Sequence, residues 1–317
     1  MITRTWRRQA GSAACVEIPF GVLAAAILLV GAANGLFGQS GAHPAFAVAS
    51  IKRNTSNWSE PTQHPMGVGY RPGGRLTATN ASLMLLIQFA YAVHDSPHSL
   101  PLLASQVVGG PAWIRSQGYD IEAKPEGNTD QKHTWIMLQT LLADRFKLAI
   151  HRETREIPVY VLTAAKNGFK LPAAKEAGCV SFPPGTPPRQ VPGKVDCGYV
   201  SGPIGGYEAG LLHIKGSKVH VADLIRELTS ILDRPVLDKT GFTGEFDLGL
   251  SFTADETLMG LPGYGGPGDP GGARLPTDPN LANIFAALEE QLGLKLVPAK
   301  GPVEVLVIDH AERPTAN

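Results

Sequence analysis

The sequence predicts an α+β protein of two similar modules, each ordered strand–helix–strand–helix–strand–strand, joined by a linker that a disulfide closes. Three observations favour this fold. One-sided apolar helices and alternating strands follow each other in the same order in two separate stretches of the 317 residues. Strands precede helices without the regular spacing of βαβ units, which favours α+β layers over a doubly wound parallel sheet. Two cysteines lie in a Pro/Gly-rich stretch between the two similar parts.

The composition is that of a folded chain without excess charge. Hydrophobic residues make up 43% and charged residues 18%, which is enough apolar material for a core and too little charge for general disorder. The 28 Lys and Arg residues balance the 28 Asp and Glu residues. Nucleic-acid binding needs clustered cations, so we expect no nucleic-acid partner, and we expect membrane contact only through the N-terminus.

Residues 1–40 have the order of an export signal. Arg4, Arg7 and Arg8 are followed by an uncharged apolar stretch over residues 18–37 and then by small residues. The apolar stretch also has the length of a membrane-spanning helix, which needs roughly 17–25 residues. We therefore expect an exported protein, periplasmic or secreted, in which residues 1–40 are a signal peptide or an N-terminal anchor.

The first module is expected over residues 41–170, where a strand at 46–52 precedes the first copy of the repeat. Apolar residues at helical spacing predict two helices. The first helix carries Leu83, Leu86, Ile87, Ala90 and Tyr91, and the second carries Leu138, Leu141 and Leu142. An alternating strand from Gly118 separates the two helices. The second helix runs into a strand at Phe146–Leu148, and a final strand follows at Pro158–Leu162.

The second module is expected over residues 210–317 and repeats that order. Its helices carry Val221, Leu224, Ile225, Leu228 and Leu232, and then Leu281, Ile284, Phe285, Leu288 and Leu292. Asp278 and Pro279 form a favourable N-cap and first-turn pair for its second helix. Its strands at Phe246–Leu248, Leu294–Leu296 and Pro302–Leu306 match strands of the first module, so we infer an internal duplication. A Gly/Pro-rich loop, residues 259–279, interrupts this second module.

Residues 171–209 form a Pro/Gly-rich linker that contains Cys179 and Cys197. Cys15 lies in the N-terminal segment, so the exported part has two cysteines, which are expected to pair in an oxidising compartment. A disulfide that closes a loop of this length contributes about 3 kcal/mol in the chain-entropy model. A metal-binding or catalytic thiol is the alternative, although no His lies between the two cysteines and the chain has no Cys-x-x-Cys.

The common catalytic motifs are absent from the sequence. The chain contains no GxSxG, no HExxH and no phosphate-binding P-loop. His151 and Glu153 share one face of a strand, but two ligands are too few to hold a metal ion. We therefore expect no metal and no cofactor.

Two groups of residues are candidates for a functional site. Trp113, Arg115 and Tyr119 follow a rigid Gly-Gly-Pro turn, and these residue types are enriched at contact hot spots. A buried Trp113 that braces the turn is the alternative. An enzyme with its site between the modules is a second hypothesis, because duplicated modules often form a cleft. Its candidate residues are His151, His213, His220, Asp247 and Asp309. Three of these within hydrogen-bond reach would support an enzyme, and a dispersed arrangement would contradict it.

The order of several segments resembles a known group of proteins. The segments are FAVASIKRN, GGPAWIRSQGYDIEAKP, MLQTLLADRFKLAIHRETREIPVYVLTAAK, RPVLDKTGFTGEFDLGLSF and EQLGLKLVPAKGPVEVLVIDHAERP. In this order they resemble a large paralogous family of exported proteins of unknown function from soil Acidobacteria, of Solibacter type. The resemblance implies a protein outside the cytoplasm. It implies no reaction and no catalytic residues.

Each half is also similar, more weakly, to the short N-terminal module of secretins and TonB-dependent receptors. The segments that carry this similarity are ADLIRELTSILDRPVLDKTGFTGEFDLGL and LGLKLVPAKGPVEVLVI. That module mediates protein contacts in the periplasm, so the similarity implies an interaction module. The long insertions of the present copies depart from its pattern.

These observations lead to one expectation and two alternatives. We expect an exported, non-catalytic binding or interaction protein of the cell envelope, whose partner is an envelope protein, a peptide or a small ligand. One alternative is a secreted, hydrolase-like enzyme with a site between the two modules. The other is an envelope assembly part similar to the secretin or receptor modules.

Overall fold

A computed structural model of the chain gives the fold. The residues that it describes are 43–55, 67–93, 100–175, 179–181, 195–203, 211–255, 257–258 and 281–314. The expected signal or anchor, residues 1–40, and the Gly/Pro-rich loop, residues 259–279, lie outside them. Within the described ranges, no helix combines the length and the apolar character needed to cross a membrane.

Helices and sheets are mixed along the whole described chain, which confirms the α+β class. The strands are β1 Val48–Arg53, β2 Gly67–Arg71, β3 Arg75–Ser82, β4 Val107–Gly109, β5 Gly118–Lys124, β6 Ala149–Ala164, β7 Cys179–Val180, β8 Val195–Asp196, β9 Val200–Ser201, β10 Leu212–Val219, β11 Val236–Asp238, β12 Phe246–Phe252 and β13 Leu294–His310. The helices are α1 Leu83–Ala90, α2 Trp113–Ser116, α3 Gln131–Phe146, α4 Val221–Ile231 and α5 Ile284–Ala287, the last continued by a π-helical turn, Leu288–Leu292. A 3-10 turn, Ala104–Gln106, precedes β4.

The longer strands are organised in sheets A, B and C. Sheet A has the order β1-β5-β3-β2, sheet B has the order β11-β6-β13-β4, and sheet C has the order β12-β10-β9. Strands β7 and β8 form a small parallel pair. Sheet B contains strands from both halves of the chain: β4 and β6 come from the first half, and β11 and β13 come from the second.

The helices begin where the sequence supplies capping side chains. Ser82 caps α1 and Asp130 caps α3, each accepting the backbone N–H three residues later. Helix α5 begins later than the sequence predicted. Its cap is Asn283, whose Oδ1 accepts the N–H of Ala286 at 3.1 Å, whereas the expected cap at Asp278 lies outside the described residues.

The two long strands β6 and β13 form one antiparallel ribbon. Their pairing runs from Leu294↔Ala164 to Ile308↔Ile150 without a turn inside either strand. The expectation of two separate strands at the end of each module is therefore wrong. In the second half the two expected strands are parts of the continuous strand β13, because the segment between them remains paired along its full length. In the first half residues 158–162 lie within β6, whereas residues 146–148 are the end of α3 and the connection to β6.

Pro158 and Pro302 fit inside this ribbon for a geometric reason. The N–H of Tyr160 points away from the ribbon, to the backbone oxygen of Pro235 at 2.8 Å. Every second residue of a strand points its backbone nitrogen to the same side, so residues 158 and 156 point theirs away from the ribbon as Tyr160 does. The pairs Lys300↔Pro158 and Pro302↔Glu156 therefore need no N–H group inside the ribbon. The missing proline N–H therefore breaks no ladder bond there.

Two hydrophobic cores lie at opposite ends of the ribbon. The first lies between sheet A and helices α1 and α3, and it includes Leu306 and Ile308 from β13. The second lies between sheet C, α4 and α5, and it includes Leu162 from β6. Each core is thus completed by a strand end from the other half of the chain.

The two halves show the same order of principal elements: strand, helix, short strand, strand, helix and long strand. The short strands pair across the halves, since β4 is parallel to β13 and β11 is parallel to β6. A left-handed residue ends the second helix of each half, Lys147 after α3 and Gly293 after the π-helical turn. These two residues make Lys147 the counterpart of Gly293, whereas the sequence match paired Phe146 with Leu294. The expected correspondence between residues 146–148 and 294–296 is therefore displaced by two residues. The internal duplication stays a prediction.

The disulfide expected in the linker is present. Cys179 and Cys197 are joined with a Cα–Cα distance of 5.0 Å. Cys197 forms a β-bridge with Ser217, and the N–H of Gly198 donates to the backbone oxygen of Ser217 at 2.9 Å. The disulfide therefore fastens this part of the linker to strand β10.

Candidate functional site

The five polar residues considered for an enzyme do not converge. His151 Nδ1 lies 2.9 Å from Asp309 Oδ1 on the exposed ribbon. This hydrogen bond raises the pKa of His151. His213 faces a different neighbour, since its Nδ1 lies 2.8 Å from the Oγ of Ser251 on the adjacent strand β12.

The remaining two candidates have structural roles. His220 precedes α4 and lies 3.7 Å from Asp223 in the first turn of that helix. Asp247 accepts hydrogen bonds from the backbone N–H groups of Lys175 and Lys218, both at 3.2 Å. No three of the five residues, all of which lie in the described chain, are within hydrogen-bond reach, so the condition set for the enzyme hypothesis is not met.

The three residues considered for a contact patch lie at different depths. Trp113 is half-buried, and the guanidinium of Arg313 lies 5.2 Å from the centre of its ring. Arg115 is exposed and donates to a backbone oxygen at the end of β4. Tyr119 is only 2% exposed and packs edge-on against Phe146 in the first core. A contact role for this group stays a prediction.

A row of three cations, here called the basic row, crosses three neighbouring strands of sheet A. Arg71 of β2 is directly opposite Arg75 of β3. Leu76 is paired with Ala123 between β3 and β5, which puts Lys124 next in line beside Arg75. Directly opposed residues point to the same face of a sheet. The basic row therefore occupies the face opposite to the buried Leu76 and Ala123.

The basic row lines an open cleft of about 380 Å³. The lining residues are Arg71, Pro72, Gly73, Arg75, Thr77, Lys124, Gly127 and Asn128. They come from the ends of strands β2, β3 and β5 and from two adjacent turns, the one between β2 and β3 and the one that follows β5. The cleft is thus formed where two loops meet at one end of a sheet.

Close packing holds these two turns together. Gly74 has a φ of 86°, and a Cβ there would collide with the side chain of Thr129 and would lie 2.9 Å from Pro125. The hydroxyl of Thr134, which donates to the backbone oxygen of Asp130 at 2.8 Å, also lies 3.4 Å from the backbone oxygen of Gly74. The hydroxyl of Tyr70 donates to the backbone oxygen of Thr129 at 3.3 Å. Only glycine fits at position 74, and the cleft has a defined shape as a result.

The acidic side chains on the same face of sheet A do not neutralise the basic row. Asp120 accepts the backbone N–H of Asn80 at 2.8 Å and the side-chain amide of Asn54 at 2.9 Å. It thereby holds the bulge of β3, where Asn80 has a φ of 47°. Glu122 is exposed and lies one row further along, opposite Thr77. Within the described residues, no member of the basic row forms an ion pair.

The lining of the cleft combines positive charge with neutral polar groups. It supplies three cations, the neutral polar side chains of Thr77 and Asn128, and Pro72. Neither a carboxylate nor an imidazole is among the described lining residues. Elsewhere in the described chain, no cluster of three His, Cys, Asp or Glu side chains could hold a metal ion.

Sequence reasoning missed the basic row, although part of its signal is local. Arg71 and Arg75 flank the turn Pro72–Gly74, and glycines between two alternating strands indicate a hairpin. That pattern alone would have put the two arginines opposite each other. Lys124 could not have been added, because its place depends on the pairing of β3 with β5.

The comparisons with known proteins identify a family but no function. A family model described as "Protein of unknown function (DUF3738)" matches residues 84–311, well over half of the chain. Lys124 lies within that range, whereas Arg71 and Arg75 precede it. No curated protein and no solved structure matches the chain. The expected membership of an uncharacterised family is confirmed, while the Acidobacterial origin and the similarity to secretins and TonB-dependent receptors stay predictions. The chain belongs to the DUF3738 family of proteins of unknown function.

Proposed function

We propose that this protein is an exported, non-catalytic binding protein of the cell envelope, and that it holds an anionic ligand in the basic cleft. The observation that carries the proposal is the basic row itself. Arg71, Arg75 and Lys124 are exposed on three adjacent strands, share one face, and have no ion pair with a described carboxylate.

The electrostatics of the row favour an anion from outside. Like charges directly opposite each other in a sheet are destabilising. The pair Arg71↔Arg75 is of this kind, and Lys124 adds a third positive charge beside it. A concave surface lined by one sign of charge also raises the local concentration of the opposite ion. A bound anion would relieve the repulsion and supply the missing partner.

Two features support export. Residues 1–40 have the charge and hydropathy order of an export signal. The bond between Cys179 and Cys197 belongs to a class that persists in oxidising compartments and is rare in the cytoplasm. Immunodetection of the chain in periplasmic or culture fractions, with a cytoplasmic marker as control, tests this part. Retention in the cytoplasm would contradict it.

The ligand-binding part is tested with the full chain and four probes: phosphate, pyrophosphate, tripolyphosphate and citrate. Thermal unfolding at constant ionic strength should show an increase in Tm with at least one of them. A triple variant, Arg71→Gln with Arg75→Gln and Lys124→Gln, should lose that increase. The three side chains are exposed, so the variant should keep the fold of the wild type, which circular dichroism verifies.

Lys52→Gln is the matched control. Lys52 lies on the same face of sheet A but pairs in register with Asp120, away from the basic row. This variant should respond to the probes as the wild type does. A triple variant that responds equally, or the lack of any response in the wild type, would refute the binding proposal.

A further inference from the structure

We infer that the ligand of the basic cleft is a small, non-aromatic, polyvalent oxyanion with two or more anionic groups about one strand spacing apart. Condensed phosphates and tricarboxylates have this chemistry. The inference rests on the proposed function, because it specifies the class of ligand that the same cleft binds.

The spacing of the basic row gives the valence. Neighbouring strands lie roughly 4.8 Å apart, so three charges on β2, β3 and β5 extend over about 10 Å. Mutual repulsion keeps the three cationic groups separated. One phosphoryl or carboxylate group can therefore bridge two neighbouring cations, whereas a chain of two or three such groups follows the whole row.

The residue types of the row point to planar or tetrahedral oxyanions. Arg71 and Arg75 offer the fork of donors that binds carboxylate or phosphate through two parallel hydrogen bonds. Lys124 supplies a compact point charge at the end of the row. Thr77 and Asn128, which also line the cleft, can bind the remaining ligand oxygens or hydroxyl groups.

The size and polarity of the cleft restrict the ligand further. A volume of about 380 Å³ is near the lower end of small-molecule sites. Apart from the glycines, Pro72 is the only apolar residue among the described lining residues, and none of these residues is aromatic. The described lining residues offer a nucleobase no aromatic ring, and only the two arginine planes on which to stack. The ligand is therefore charged throughout rather than a charged group on a large apolar body.

Titration calorimetry with the full chain, at one pH and one ionic strength, tests the valence. Phosphate, pyrophosphate, tripolyphosphate and citrate are the probes. Exposed ion pairs contribute little each, so tripolyphosphate, which can form two more of them than phosphate, should bind up to about 30-fold more tightly than phosphate. Tight binding of tripolyphosphate alone would assign the ligand to the phosphates, and tight binding of citrate alone would assign it to the carboxylates.

Single substitutions test the order of the charges along the row. Arg75→Gln removes the central charge and leaves two cations that are two strands apart. Arg71→Gln leaves Arg75 and Lys124 as neighbours. Pyrophosphate, which is short, should therefore lose more affinity with Arg75→Gln than with Arg71→Gln. Lys52→Gln should bind all probes as the wild type does.

The outcomes separate this inference from the proposed function. If phosphate binds as tightly as tripolyphosphate, and all three cations are still required, the ligand is a simple anion and only the present inference is overturned. Equal losses with Arg75→Gln and Arg71→Gln would also overturn it. If the three cations can be removed without loss of binding, both proposals fall.

Discussion

Replacing Glu227 by Gln should stabilise the protein above neutral pH. Glu227 lies on α4 with its carboxyl group directly against Gly202, where a Cβ would collide with it. Burial raises the pKa of this carboxyl group from 4.5 to about 7, against the opposing charge of Arg226. Above that pH the fold must hold a carboxylate in a site that favours the neutral acid.

The magnitude and sign follow from the two pKa values. A folded-state pKa above the unfolded value gives stability that is complete below the unfolded pKa, 4.5, and is lost as the pH rises through about 7. The shift corresponds to about 3 kcal/mol. Gln has nearly the shape of the protonated acid and never ionises. The free energy of unfolding of Glu227→Gln should therefore equal that of the wild type at about pH 4 and exceed it by about 3 kcal/mol at about pH 8.5.

Urea unfolding of both proteins across this pH range measures the difference. Glu290→Gln, at an exposed position of the π-helical turn, is the control for the loss of one glutamate at the surface. If the difference between the Glu227→Gln variant and the wild type stays constant with pH, or grows toward acid, the reasoning from burial is refuted.

Three further predictions concern stability. Cys179→Ser combined with Cys197→Ser should lower the free energy of unfolding by about 3 kcal/mol, and the wild type should lose the same amount in dithiothreitol; no change on reduction would contradict an intact disulfide. Gly74→Ala should lower the free energy of unfolding by about 1–3 kcal/mol, because the added methyl collides with the neighbouring loop. Gly127 also has a positive φ but has open space around it, so Gly127→Ala should lower the free energy of unfolding by less. Equal losses in the two variants would count against the collision. Arg71→Gln should raise the free energy of unfolding by about 0.5 kcal/mol at low salt and by less at high salt, since one of two directly opposed cations is removed. A destabilised variant would show that the two arginines do not repel each other.

Local patterns in the sequence predicted the elements of the fold well. The 3.6-residue apolar spacing of Leu83, Leu86 and Ile87 is sufficient to identify α1, since it needs no knowledge of distant residues. The disulfide could be predicted for a similar reason, because only two cysteines remain outside the N-terminal segment. Both inferences depend on residues that are close in sequence or few in number.

The order of the strands could not be predicted in the same way. Alternation shows which residues of a strand share a face, but it does not show which strand lies alongside. The pairing of β4 with β13 joins Val107 to Leu306, which are separated by more than half of the sequence. The basic row has the same difficulty, because Lys124 comes beside Arg75 only through the β3–β5 register. The candidate site was therefore missed, while most of its supporting elements were found.

The exchange of strand ends between the two cores has a consequence for how the chain acquires its structure. The first core contains Leu306 and Ile308, which come much later in the sequence than every other buried residue of that core. This core therefore cannot close until β13 has been synthesised. Contacts of such sequence separation also slow folding, because a long loop must be ordered before they form. Until β13 is made, the first core stays unfinished, and an unfinished chain is one that can still be threaded through a narrow channel.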